Sequence, residues 1–173
     1  IDAYGTGADP VFSGAKTMTA GGWTTYDAVN HVYSQALTTK PIVVIVDDTW
    51  PALYDASLIS HDMDSLQSGE YYHAGGVLYV RLADDSDPQS SIVEAATKTN
   101  VLSVTSDDFL IQNIQMEKTI AETVRFAYPS SSNQSNVIYD NVTVRFAGEE
   151  CFQNINHANS VSNVIIRNST CYY

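Results

Sequence analysis

Positive charge is scarce in this sequence. Eight Lys and Arg stand against 20 Asp and Glu, for a formal charge of −12. Nucleic-acid binding needs a basic face that displaces counterions, and the deficit argues against it. The same deficit argues against anionic membrane surfaces. Long apolar runs are missing too. The stretch "PIVVIVDDTW" from Pro41 gives way at Asp47, short of the ~18 apolar residues that a membrane-spanning helix needs. No leader pattern is visible, so a secreted chain would have its leader removed or placed upstream of Ile1. Helical periodicity is also rare. "TYDAVNHVYSQA" and "PALYDASLISHDMDSL" come nearest to an i, i+3, i+4, i+7 stripe, and the second is expected to hold one short helix. The two cysteines, Cys151 and Cys171, fit one disulfide or two buried thiols, and their spacing matches no zinc pattern.

What remains is strand-and-turn composition. The chain has 173 residues, 44% of them hydrophobic, enough to bury a core. Short runs rich in Val, Ile, Tyr, Phe and Thr are broken by Ser, Asn, Asp and Gly. The expected class is all-β.

The C-terminal third repeats itself. "DFLIQNIQM" from Asp108, "NVIYDNVTV" from Asn136 and "NVIIRNSTC" from Asn163 lie over one another. The shared Asn positions are Asn113, Asn141 and Asn168, spaced by 28 and then 27 residues. A period in the twenties points to stacked coils, and the Val, Ile, Asn and Thr content favours a parallel β-helix over leucine-rich repeats. Coils stacked ~4.8 Å apart pair their backbones. Leu110, Ile138 and Ile165, if they point inward, stack on one another. Asn113, Asn141 and Asn168 are expected to form an amide ladder, against the alternative of three independent turn residues. Asn141 and Asn168 also open sequons, as does Asn133. A ladder would make the first two internal and leave Asn133 exposed.

The middle of the chain shows no repeat. "GEYYHAGGVLYVRLADDSDP" reads as a hairpin turning at Ala74-Gly75-Gly76, with Leu78, Val80 and Leu82 on one face and Val77, Tyr79 and Arg81 on the other. "PIVVIVDD" reads as a strand covered on both faces. The expected organisation is a partial first coil at 1–22, a β-rich insertion at 23–94 and parallel coils at 95–173. The opening "IDAYGTGADPVFSG" starts inside a strand-turn-strand pattern, as though a coil were already under way at Ile1.

"AYGTGADPVFSG", "SGEYYHAGGVLYVRLADDSDP" followed by "IVEAATKTNVLSVTSDDFLIQNIQM", and the coil repeat together resemble the right-handed parallel β-helix proteins of the pectate-lyase-like superfamily. That resemblance implies a right-handed parallel β-helix with a β-rich insertion or cap near its N-terminus. It also implies an extracellular, polysaccharide-active protein of lyase or glycoside hydrolase type, here as an N-terminal piece whose catalytic coils lie beyond Tyr173. The implied partner is a polysaccharide or cell-surface glycan. The competing reading is a non-enzymatic surface module, an adhesin, phage tail part or filament subunit that self-associates through its coil ends.

A lyase must neutralise a uronate carboxylate and move protons, with Ca²⁺ or Arg for the first task and Lys, Arg, His or Tyr for the second. A glycosidase needs two carboxylates across the scissile bond. The coil region offers Glu117, Lys118, Glu122, Arg125, Arg145, Glu149, Glu150 and His157. Arg125 and Arg145 share the contexts "VRFAY" and "VRFAG", which suggests similar positions on successive coils. Stacked guanidiniums repel unless carboxylates or an anionic sugar lie between them, and Glu122 and Glu149 suit that job. Arg125, Arg145, Glu122, Glu149 and His157 are therefore the candidate catalytic residues, weighed against a plain surface ion-pair ladder. No cofactor is assigned. Ca²⁺ is the candidate, at Glu149-Glu150 or at "DDSDP" from Asp84, where turn chemistry is the simpler explanation. Trp23, Trp50, Tyr71, Tyr72 and Tyr128 are candidates for stacking on pyranose rings.

Overall fold

The structure is a computed structural model. It describes residues 1–173 other than 4, 105–106, 122, 127–133, 155–160 and 173, and the backbone alone at 125, 126, 134, 154 and 161. The fold is all-β, with three short 3₁₀ turns and no α-helix among the described residues. It divides into two compact units. One joins Ile1–Gly14 to Lys98–Tyr173, and the other is Ala15–Thr97. The expected boundaries lay at residues 22 and 94.

After β1 (Val11–Ser13) the chain enters the inserted unit through β2 (Ala15–Thr17), β3 (Thr24–Asp27), β4 (Val32–Ala36) and β5 (Val44–Val46). β6 (Thr49–Asp55), β7 (Glu70–Ala74), β8 (Val77–Arg81) and β9 (Val93–Ala96) complete it. The chain returns through β10 (Leu102–Val104), β11 (Phe109–Glu117), β12 (Val124–Phe126) and β13 (Gln134–Arg145). β14 (Phe152–Asn154), β15 (Val161–Arg167) and β16 (Thr170–Tyr172) end it.

The first unit consists of two all-parallel sheets. One runs β1-β11-β13-β15, with β16 also beside β13, and the other runs β10-β12-β14. Phe109, Val137 and Val164 are register partners, as are Ile111, Tyr139 and Ile166. Each strand thus lies on its equivalent 28 or 27 residues later. Ile111, Ile114, Val137, Tyr139, Val142 and Val144 are almost fully buried in one core.

Left-handed backbone sets this geometry. Asp108, Asn113 and Lys118 have φ of 55°, 55° and 57°, Asn136, Asn141 and Phe146 have 57°, 52° and 52°, and Asn163 and Asn168 have 54° and 51°. Asn and Asp tolerate this region better than other side chains. One such residue inside a strand breaks the period of two. Ile111 and Ile114, three positions apart, therefore both point inward on either side of Asn113. The expected inward stack is corrected for the same reason. Leu110, Ile138 and Ile165 are in register, but Leu110 and Ile165 face outward, 43% and 38% exposed. One residue further on, Ile111 and Tyr139 are fully buried, while Ile166 on the last strand is 45% exposed.

The amide ladder forms in part. Asn113 donates to Asp2 Oδ1 at 2.9 Å and Asn141 donates to Asn113 Oδ1 at 3.0 Å. Asn168 leaves the column, because Asp140, held by Arg167, presents a charged and stronger acceptor at 2.8 Å. A second column completes the pattern instead: Asn136 donates to Asp108 at 2.8 Å and Asn163 to Asn136 at 2.6 Å. Asn141 and Asn168 are exposed rather than internal, and Asn133 lies outside the described residues.

Cys151 and Cys171 form a disulfide. Closing a loop of 20 residues restricts the unfolded chain by about 3 kcal/mol.

The inserted unit is one eight-stranded sheet, ordered β2-β9-β5-β6-β7-β8-β4-β3 and antiparallel except at β6–β7. The β7–β8 hairpin turns at Gly75-Gly76, where φ of 57° and 78° gives the twist that a two-residue hairpin needs. Leu78, Val80 and Leu82 are buried, and Val44 and Ile45 are fully covered on both faces of β5. A short 3₁₀ helix forms at Ala56–Ile59. The "TYDAVNHVYSQA" stretch, one of the two nearest to a helical stripe, is the β3–β4 hairpin, because Val32 and Tyr33 pack as strand residues against β8.

Two outcomes follow in chemical unfolding. Asn141→Ala loses about 2 kcal/mol, roughly half from the left-handed backbone and half from the amide bond, whereas Asn141→Gly loses about half as much. Replacing both cysteines by serine lowers stability by about 3 kcal/mol. Unchanged midpoints for both variants would contradict this reading of the backbone.

Candidate functional site

Charge is concentrated where β11 and β13 end. Glu117 and Arg145 are register partners on these strands, and Lys118 follows Glu117 at a left-handed position. Glu117 and Lys118 are 4% and 3% exposed. Glu117 Oε1 meets Lys118 Nζ at 2.8 Å, and Oε2 accepts from Arg145 Nη2 at 2.6 Å, Arg145 Nε at 3.1 Å and Gln115 Nε2 at 2.7 Å. The Arg145 guanidinium lies 5.0 Å from the centre of the Phe146 ring. Burial pushes the Glu117 carboxyl up, but Lys118, Arg145 and Gln115 together hold it below its ordinary 4.5. A carboxylate with both oxygens engaged and its charge stabilised is a poor proton shuttle. The arrangement is a desolvated ion triad that ties one strand to its equivalent 28 residues later. Arg167 and Asp140 repeat the device at 2.7 Å on a more exposed face.

The expected pairing of Arg125 with Arg145 is corrected by register. Arg125 lies on β12, opposite Ser103 and Gln153, while Arg145 lies on β13 in the other sheet. Each stretch carries an almost fully buried Val, Val124 at the start of β12 and Val144 near the end of β13. Arg145 takes its carboxylate from Glu117, and Glu149 is exposed on a turn whose N–H donates to the Ala121 carbonyl. Glu122 and His157 lie outside the described residues.

Among the described residues no group of three or more His, Cys, Asp or Glu side chains comes together to hold a metal ion. In "DDSDP" each carboxylate has a local task. Asp84 Oδ1 accepts from Ser86 N–H at 3.0 Å, Asp85 pairs with Arg81 at 2.7 Å, and Asp87 caps the 3₁₀ turn at Pro88–Ser90. Of the aromatic candidates, Trp23 and Tyr71 are buried in the core of the inserted unit. Tyr72 packs half-buried against Val32, Ala56 and Leu66. Trp50 is 54% exposed, and Tyr128 lies outside the described residues.

The inserted unit carries an open cleft of about 330 Å³ between the β5–β6 hairpin and the segment after β8. Pro51, Leu53 and Leu82 give it apolar walls, and Asp47 and Asp84 give it carboxylates. The sequence held a signal for one half of this site, the acidic run after Leu82. It held none for the approach of Asp47, which depends on tertiary pairing.

The class that the fold defines is all-β. No protein-family model, no curated protein and no solved structure matches the chain.

Glu117→Gln, which removes the buried negative charge facing Lys118 and Arg145, lowers stability by about 3 kcal/mol at neutral pH. The pH dependence has a definite sign. A depressed native pKa stabilises above the ordinary 4.5, and that contribution is lost as pH falls through the native value. Urea titrations between pH 7 and pH 3 should therefore give a shallower acid limb for the variant than for the wild type. Superimposable acid limbs would refute the triad's role.

Proposed function

We propose that the unit Ile1–Gly14 with Lys98–Tyr173 is a right-handed parallel β-helix of the pectate-lyase-like kind. The protein is then an extracellular polysaccharide-active protein, or a piece of one. The observation that carries this reading is the repeated left-handed Asn and Asp columns, set 28 and 27 residues apart between strictly parallel strands. The Cys151–Cys171 disulfide suits an oxidising, extracellular setting. Long stacked strands present a continuous surface along which an extended glycan can lie.

One observation favours the second reading, a glycan-binding surface module without turnover. In the best-formed charged cluster among the described residues, Lys118 and Arg145 engage both oxygens of the Glu117 carboxylate. No helix among the described residues is long and apolar enough to cross a membrane.

The purified chain should be incubated with a panel of neutral, amino-bearing and uronate polysaccharides. New reducing ends or the ultraviolet absorbance of unsaturated uronate ends support the enzymatic reading. Glycan-array binding without products supports the module. Silence in all three assays contradicts both.

A further inference from the structure

The cleft of the inserted unit has a chemical character opposite to that of a uronate site. The residues that line it include no Lys or Arg. Asp47 lines it from the tip of the β5–β6 hairpin. The Asp47 backbone N–H donates to the Ile92 carbonyl at 2.8 Å, and its Oδ1 accepts from Ile92 N–H at 2.7 Å. Asp47 and Asp48, with φ of 51° and 52°, form the two-residue turn that joins β5 to β6. From the segment after β8, Asp84 also lines the cleft, and its Oδ1 accepts from Ser86 N–H at 3.0 Å. Bonds from Ser86 hold the Asp84 carboxyl below its ordinary 3.8, so it is charged at neutral pH. Asp47 accepts one backbone N–H and Asp84 accepts from both the side chain and the backbone N–H of Ser86, out of about four lone-pair sites on each. Both are thus fixed in place with acceptor capacity to spare, above apolar walls of Pro51, Leu53 and Leu82.

We infer that this cleft binds a saccharide unit bearing a protonated amine, with the ammonium between Asp47 and Asp84 and the sugar's apolar face on Pro51, Leu53 and Leu82. The inference rests on the polysaccharide reading above and narrows it to a ligand class. A volume of about 330 Å³ lies at the small end of the range for ligand sites, as suits one or two sugar rings. An ammonium supplies three donors and the opposite charge. A uronate would set its own carboxylate against two others, and the net charge of −12 adds to that repulsion while drawing cations in.

The test is a calorimetric and NMR titration of the whole chain with three probes of equal length: a glucosamine tetramer, its N-acetylated counterpart and a tetragalacturonate. The glucosamine tetramer should bind and shift the amides of Asp47, Thr49, Asp84 and Ser86. Its affinity should fall about tenfold in Asp47→Asn and in Asp84→Asn, since each removes one charge-assisted bond. Both variants keep the Oδ1 that accepts the backbone N–H, and Asn tolerates the left-handed turn at 47, so folding is preserved. The N-acetylated tetramer and the tetragalacturonate should bind at least tenfold more weakly. Equal binding of either, no binding of the glucosamine tetramer, or indifference to both substitutions overturns the inference. If polymer cleavage or glycan-induced shifts confined to Lys98–Tyr173 appear while the cleft amides stay still, the cleft assignment fails alone and the polysaccharide reading stands.

Discussion

A single left-handed residue repeated at fixed intervals governs the first unit. Asp108, Asn113 and Lys118, then Asn136, Asn141 and Phe146, then Asn163 and Asn168, all bend the chain with φ between 51° and 57°. Each bend changes which residues face inward. Asn136, Asn141 and Asn163 also reach the equivalent bend in the neighbouring strand. Local backbone preference and contact between strands thus enforce the same register, which is the agreement between levels that makes a fold specific. Where the column needs more than an amide, charge takes over. Asp140 draws Asn168 and Arg167, and Glu117 gathers Lys118 and Arg145.

Much of this was legible in the sequence. The period could be read from Asn113, Asn141 and Asn168, and the all-β class from the strand-and-turn composition. The β7–β8 hairpin followed from Gly75-Gly76 and from alternation at Leu78, Val80 and Leu82. The facing of Leu110, Ile138 and Ile165 was not legible, because simple alternation fails at a left-handed residue and no local pattern announces the phase change. The Asp108, Asn136 and Asn163 column was overlooked because Asp108 breaks the letter pattern while serving the same role as an acceptor. The two Val-Arg-Phe stretches misled for the opposite reason. Identical letters occur in two different sheets, each with a buried Val at that point.

The candidate site was less legible than the fold. Arg145 was identified, but its partner is Glu117 rather than Glu149, since the partner is fixed by register across 28 residues and not by nearness in sequence. The triad it joins is built for cohesion. Both oxygens of its carboxylate are engaged. The inserted unit contributes a different kind of surface, an acidic cleft whose two carboxylates come from segments nearly forty residues apart, Asp47 and Asp84.

The register itself is the most direct thing to measure. In an isotope-labelled sample, NMR should show backbone contacts between strands that join Phe109 to Val137, Ile111 to Tyr139 and Val137 to Val164, with parallel-sheet connectivity throughout. Contacts of this kind at steps of 28 and 27 residues are the predicted result. Antiparallel contacts, or pairings displaced by one residue so that Leu110 and Ile138 turn inward, would contradict the account at its root.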